Sequence, residues 1–141
     1  MNTARQIKDH IDSHPEPKRS DLANLHQQIL EAMPGSRSWF LDGKDEKGKL
    51  VTNPNIGYGS QMLKVAGGRT KEFYQVGISA NTSGISVYIL GLPDKKYLSE
   101  TYGSSIGKAR ITGYCISFKQ LRDVNMNVLL EAIKDGVAQT S

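Results

Sequence analysis

Two alternating runs joined by a four-residue turn constrain this chain more than any other feature. Phe73–Ala80 and Ile85–Leu90 flank Asn81-Thr82-Ser83-Gly84. Apolar residues at every second position, closed by so short a connection, predict an antiparallel hairpin, because parallel strands need a much longer crossover. Further strands are predicted at Trp39–Leu41, Ile56–Val65 and Arg110–Phe118. The charged turn Asp42–Lys49 and the pair Gly67-Gly68 punctuate them. Amphipathic segments lie on both sides of this block. Ala4, Ile7 and Ile11 predict a first helix over about residues 3–13, stopped by Pro15 and Pro17. Ser20 reads as the N-cap of a second helix with the stripe Leu22, Leu25, Ile29, Leu30 and Met33, ended by Pro34-Gly35. Asp94 opens a short helix through Tyr102, with Gly103 as its stop. Asn125 caps a last one carrying Met126, Leu129, Leu130, Ile133 and Val137. Strands in a block between helices predict an α+β fold. The expected architecture is a single antiparallel sheet of about five to six strands, with the N- and C-terminal helices packed on one face. The 141 residues suit one domain, residues 1–141.

Side chains alternate across a strand, so parity separates two faces. Leu63, Val65, Val76, Ile78, Ile85, Val87 and Ile89 form the expected helix-facing set. The opposite parity collects Tyr58, Met62, Lys64, Gln75, Ser79, Ser86 and Tyr88. In the last strand Cys115 and Ser117 alternate with Tyr114, Ile116 and Phe118. The second set describes a mixed aromatic and polar surface, which suits a ligand or partner. Tyr58, Lys64, Tyr88 and Cys115 are its candidate binding residues.

Charge excludes less than it first suggests. The chain has 18 Lys and Arg against 14 Asp and Glu, a net +4. The basic residues are dispersed along the sequence and interleaved with acids, unlike the clustered stripe of a nucleic-acid binder. No nucleic-acid partner is expected. A single cysteine, Cys115, rules out an internal disulfide and fits a reducing compartment. Met1–His10 lacks the apolar core of a signal peptide, and the longest near-apolar stretch, Ile85–Leu92, falls short of the roughly 20 residues a membrane span needs. The expectation is therefore a cytoplasmic chain without a membrane partner.

The familiar catalytic motifs fail one by one. Gly103-Ser104-Ser105-Ile106-Gly107-Lys108 has one residue too few between its glycines for a phosphate loop, and Ala109 replaces the Ser or Thr that would hold magnesium. Gly57-Tyr58-Gly59 has Met62 where a dinucleotide fingerprint needs a third glycine. Gly84-Ile85-Ser86-Val87-Tyr88 lacks the closing glycine of a nucleophile elbow. Asp45-Glu46, flanked by lysines in a turn, reads as a solvated loop. Cys115 reads as a small core residue. His10 and His14 are four apart and share a helix face, which makes them the candidate metal ligands.

The C-terminal two thirds carry a resemblance. Ile56-Gly57-Tyr58-Gly59-Ser60 resembles the "hydrophobic-G-(Y/F)-G-S" strand of the YdhG-like domains of unknown function. Tyr74-Gln75-Val76-Gly77-Ile78-Ser79 and Ile85–Gly91 follow in the order of that family. Thr112-Gly113-Tyr114-Cys115-Ile116-Ser117-Phe118 and the run Leu121–Leu130 are similar to its "TGKxC" strand, linker and final helix. The match runs from Ser20 to Ala138, with Tyr114 in place of the usual lysine and Gln61-Met62 in place of an aromatic pair. The resemblance implies a frataxin-like α+β arrangement. It also implies, for some members, a role in intracellular iron handling. Residues 1–33 set Asp9, Asp12, Glu16, Asp21 and Glu31 against Arg5, Lys8, Lys18 and Arg19, which is no acidic ridge of the kind iron chaperones present. The leading expectation is a non-enzymatic module that binds a small ligand or protein partner without a cofactor. The alternative is an iron or metal chaperone using His10 and His14. An exposed sheet edge also allows a homodimer.

Overall fold

Capping sets the helix boundaries. In the computed structural model, which describes residues 2–141, α1 (Thr3–Asp12) begins where the Asn2 side chain accepts the Arg5 N–H at 2.8 Å. α2 (Lys18–Ala32) begins two residues ahead of the expected cap. Ser20 lies inside its first turn, donating its N–H (2.8 Å) and hydroxyl (2.6 Å) to the Glu16 carboxylate. A carboxylate there satisfies an otherwise free helix N–H at the positive end of the dipole. α3 (Tyr97–Tyr102) follows Asp94, which accepts the Lys96 N–H at 2.9 Å. α4 (Met126–Thr140) starts at Asn125 as expected, with the Asn125 side chain accepting the Val128 N–H at 3.3 Å. The Tyr97 and Tyr102 hydroxyls both donate to Asp135, at 2.5 and 2.7 Å, and so tie α3 to α4.

The strands are β1 (Ser38–Leu41), β2 (Asn55–Tyr58), β3 (Gln61–Lys64), β4 (Thr70–Phe73), β5 (Val76–Asn81), β6 (Gly84–Ile89), β7 (Arg110–Thr112) and β8 (Cys115–Phe118). Six of them form one sheet in the order β1-β2-β5-β6-β8-β7, antiparallel at every pairing. The β5–β6 hairpin is the expected one, in a register that pairs Ala80 with Ile85 and Asn81 with Gly84. The α+β class and the helices on the two sides of the strand block are as predicted.

Three predicted strands are broken: Phe73–Ala80 loses Phe73 to β4 and starts as β5 only at Val76, and two others are each broken in two. The run Ile56–Val65 ends at Gly59, whose φ of +79° is open to glycine but strained for other residues. Beyond that bend, β3 leaves the main sheet and pairs with β4 as a separate two-stranded arm. Leu63 and Val65 therefore do not face the helices, and Val65 and Met62 are exposed. Lys64 is an exposed residue of the arm. The run Arg110–Phe118 folds back on itself as the β7–β8 hairpin, with Gly113-Tyr114 as its two-residue turn. A positive φ at Gly113 alone fits a turn whose first central residue is glycine.

The inner face of the main sheet is apolar. Ile56, Val76, Ile78, Val87, Ile89 and Ile116 are wholly buried beneath Leu22, Leu25 and Ile29 of α2 and Leu129 and Ile133 of α4. Ile7 and Ile11 bring α1 into the same core. Each such side chain contributes about 1.5–3 kcal/mol by leaving water.

Candidate functional site

Tyr58 belongs to the inner face, not to the binding surface expected of it. It follows Ile56 by two residues and shares its side of β2. It is fully buried, and its hydroxyl and His26 Nδ1 share a 2.6 Å hydrogen bond. Burial pushes the phenol pKa far above its ordinary value and holds the His26 imidazole below its own. The parity assigned to Tyr58 was set by Leu63 and Val65, which lie past the Gly59 bend and say nothing about β2.

The outer face is built around one transverse row. Trp39 pairs with Gly57, Gly57 with Gly77, Gly77 with Tyr88, Tyr88 with Cys115 and Cys115 with Thr112, so the row crosses all six strands. Tyr88 and Cys115 are thus brought together as expected, on adjacent strands and both half-buried. The two glycines in the middle leave a trough, and the ring of Tyr74 lies in it. A side chain at either glycine would collide with that ring. Glycine inside a strand signals such a close approach, and this is the signal that could have found Tyr74 from sequence.

Tyr74 is held from several sides. Its ring stacks on Phe73 at 4.2 Å, and Phe73 meets Trp39 edge-on at 5.8 Å. The Trp39 indole N–H donates to the Gly59 carbonyl (2.7 Å), and the Arg37 guanidinium covers the indole at 3.9 Å. The Gln61 amide donates to the Tyr74 and Leu90 carbonyls (3.2 and 3.0 Å), fastening the root of the arm. The Tyr74 hydroxyl donates to Asn55 Oδ1 at 3.3 Å. Burial, with the neighbouring Tyr88, pushes the Tyr74 pKa up to about 12, so its phenol stays a neutral hydrogen-bonding group at ordinary pH.

Beside this row lie two shallow depressions. One, of about 510 Å³, is lined by Thr52, Asn53, Asn55, Tyr74, Tyr88 and Leu90. It carries no charged side chain; the half-buried Tyr88 ring lies among its amides and hydroxyl, while Tyr74, only 4% exposed between the glycines and Phe73, closes it from below. The other, of about 500 Å³, lies toward the opposite end of β6 and includes Asn81, Ser86, Ser117, Lys108, Arg110 and Lys119. Ser79, Ser86, Ser117 and Arg110 occupy one register across β5, β6, β8 and β7. The Ser79 and Tyr88 hydroxyls, 3.0 Å apart, join that register to the aromatic row.

The Cys115 thiol lies between the two rows. Its pKa is raised, chiefly by burial and against a hydrogen bond with Ser86, which disfavours the nucleophilic thiolate. The two candidate metal ligands are engaged elsewhere. The His14 ring Nδ1 lies 2.9 Å from the His10 carbonyl oxygen, the two rings meet edge-on at 4.7 Å, and His10 packs on Phe40 at 5.5 Å. Burial and the proximity of His14 lower the His10 pKa. Among the described residues, no three His, Cys, Asp or Glu side chains converge to hold a metal ion, and no helix is long and apolar enough to cross a membrane.

No family model, curated protein or solved structure matches this chain.

Proposed function

We propose that this chain is a cytoplasmic, non-enzymatic binding module of the YdhG-like kind, and that it holds a small ligand on the outer face of its sheet. One observation carries the reading. The row Trp39–Gly57–Gly77–Tyr88–Cys115 gives up two side chains so that Tyr74 can form the floor of an uncharged depression walled by Tyr88, Asn53 and Asn55. Bedding Tyr74 contributes stability through its own burial, and the ring it leaves for a ligand is the half-buried Tyr88. Aromatic faces with amide donors and acceptors suit a flat, uncharged group that hydrogen-bonds at its rim. The motifs that resemble the YdhG-like domains fall where strands bend or turn. Ile56–Ser60 spans β2 and the Gly59 bend, and Thr112–Phe118 spans the β7–β8 turn. The single half-buried cysteine, with its raised pKa, supports a reducing compartment and a role other than nucleophile.

A thermal-shift screen of small heterocyclic compounds, followed by calorimetric titration of a hit, tests the reading. The Tyr88→Ala protein should fold normally, since Tyr88 is only half-buried, and bind the hit about tenfold more weakly. Unchanged affinity in that variant would place the ligand elsewhere.

A further inference from the structure

The second depression has a different chemistry. Lys108, Arg110 and Lys119 stand around it with no acidic side chain in its lining. Among the described residues the ion pairs are Arg5–Asp9, Lys8–Asp12, Arg19–Glu16 and Arg37–Glu72, so none of the three has a carboxylate at ion-pair distance. The β7–β8 hairpin gathers them. Arg110 lies opposite Ser117; Lys119 follows β8, and Lys108 lies in the bend before β7, where its N–H donates to the Asp123 carbonyl. Hydroxyls of Ser86 and Ser117 and the side chain of Asn81 lie between the cations. A guanidinium and two ammonium groups around neutral hydroxyl donors match the oxygens of a phosphate group, and unpaired cations meet it without first losing a partner.

The two depressions lie along one strand. Ser86 lines the cationic one and Tyr88 the aromatic one, and they are alternate residues on the same side of β6, about 7 Å apart. We propose that the cationic depression binds a phosphate monoester group, and that the ligand of this module is a phosphorylated heterocycle of mononucleotide size. Its ring lies against the half-buried Tyr88, beside Asn53 and Asn55, and its phosphate lies among Lys108, Arg110 and Lys119. The assignment of the phosphate stands on the cationic depression alone, whereas that of the whole ligand rests on the ring site proposed above.

Three probes separate these parts: inorganic phosphate, adenosine and adenosine 5′-monophosphate. Each is titrated at constant ionic strength while backbone amide resonances are followed by NMR. Phosphate should shift the amides of Ser83, Ser117 and Lys119, and adenosine those of Asn55, Tyr74 and Leu90. The monophosphate should shift both groups and bind at least about tenfold more tightly than either part. Arg110→Ala should weaken phosphate binding about tenfold. Arg110→Lys should retain most of it, and adenosine should bind either variant unchanged. Phosphate shifts that lie elsewhere, or that survive Arg110→Ala combined with Lys119→Ala, overturn the anion site. Phosphate shifts at the stated amides with no adenosine response at Tyr74 leave the anion site standing and overturn the ring reading. A monophosphate that binds no more tightly than phosphate overturns the composite ligand.

Discussion

The two faces of one sheet obey different rules. On the inner face, Ile56, Val76, Ile78, Val87 and Ile116 are interchangeable in kind: each fills space beneath α2 and α4, and none makes a polar contact. On the outer face of the same strands, two glycines, three serines, a tyrosine and a cysteine take positions where one residue's size decides what its neighbour can be. The inner face stores most of the stability, and the outer face stores the specificity. Volume can drift on the first if the sum is kept, while on the second a single methyl group moves a ring.

The strongest way to break this comparison is to truncate neighbours of opposite parity. Ile78→Ala should cost about 2–5 kcal/mol, because it loses burial and leaves a cavity. Ser79→Ala, the next residue, should cost about 1 kcal/mol or less, since it removes one hydrogen bond to Tyr88. Urea denaturation measures both, and equal costs would mean that the outer face is as tightly integrated as the core. A finer test concerns the trough. Gly77→Ala should destabilise by about 1–3 kcal/mol through its collision with Tyr74. In a Tyr74→Ala background the same change should be nearly neutral, because the Gly77 backbone is not in the left-handed region. If the two effects simply add, Tyr74 is not what requires the glycine.

How much of this was legible beforehand depends on whether the information is local. The β5–β6 hairpin and the Asn125 cap were readable because the residues that specify them are adjacent. Tyr58 was misassigned because alternation counts faithfully only within an unbroken strand, and the backbone turns over at Gly59. Gly113 hid a hairpin inside what reads as one strand in the same way. Of the uncharged depression only Tyr88 was legible. Thr52 and Asn53 lie in a loop without periodicity, and only the chain path beyond β1 brings them to Tyr74 and Tyr88. The dispersed charge misled in the opposite sense. Lys108 and Lys119 are eleven positions apart, yet the fold places both in the lining of one depression.

The smallest effect separates the faces by acid. His10 on α1 and His26 on α2 both belong to the helix side, and burial holds both pKa values below the ordinary 6.5. Unfolding frees them to take up protons, so the unfolded chain binds more protons than the folded one below that value. Their contribution is fully present above pH 6.5 and falls away as the pH drops through the window beneath it. The denaturation midpoint should decline in that window, and His10→Gln combined with His26→Gln should flatten the decline. A midpoint that stays level in the unmodified protein would show that neither imidazole is held neutral by the fold.

The bedding of Tyr74 over two glycines has an evolutionary consequence. The floor of the depression is supplied by a residue outside every ladder of the main sheet, so that floor and the strand pairing beneath it are inherited as separate traits. A change to Phe at this position would keep the ring on Gly57 and Gly77 and remove only the hydroxyl that donates to Asn55, leaving every strand register and every inner-face residue as it is. The outer surface can therefore change one side chain at a time over an unchanged core.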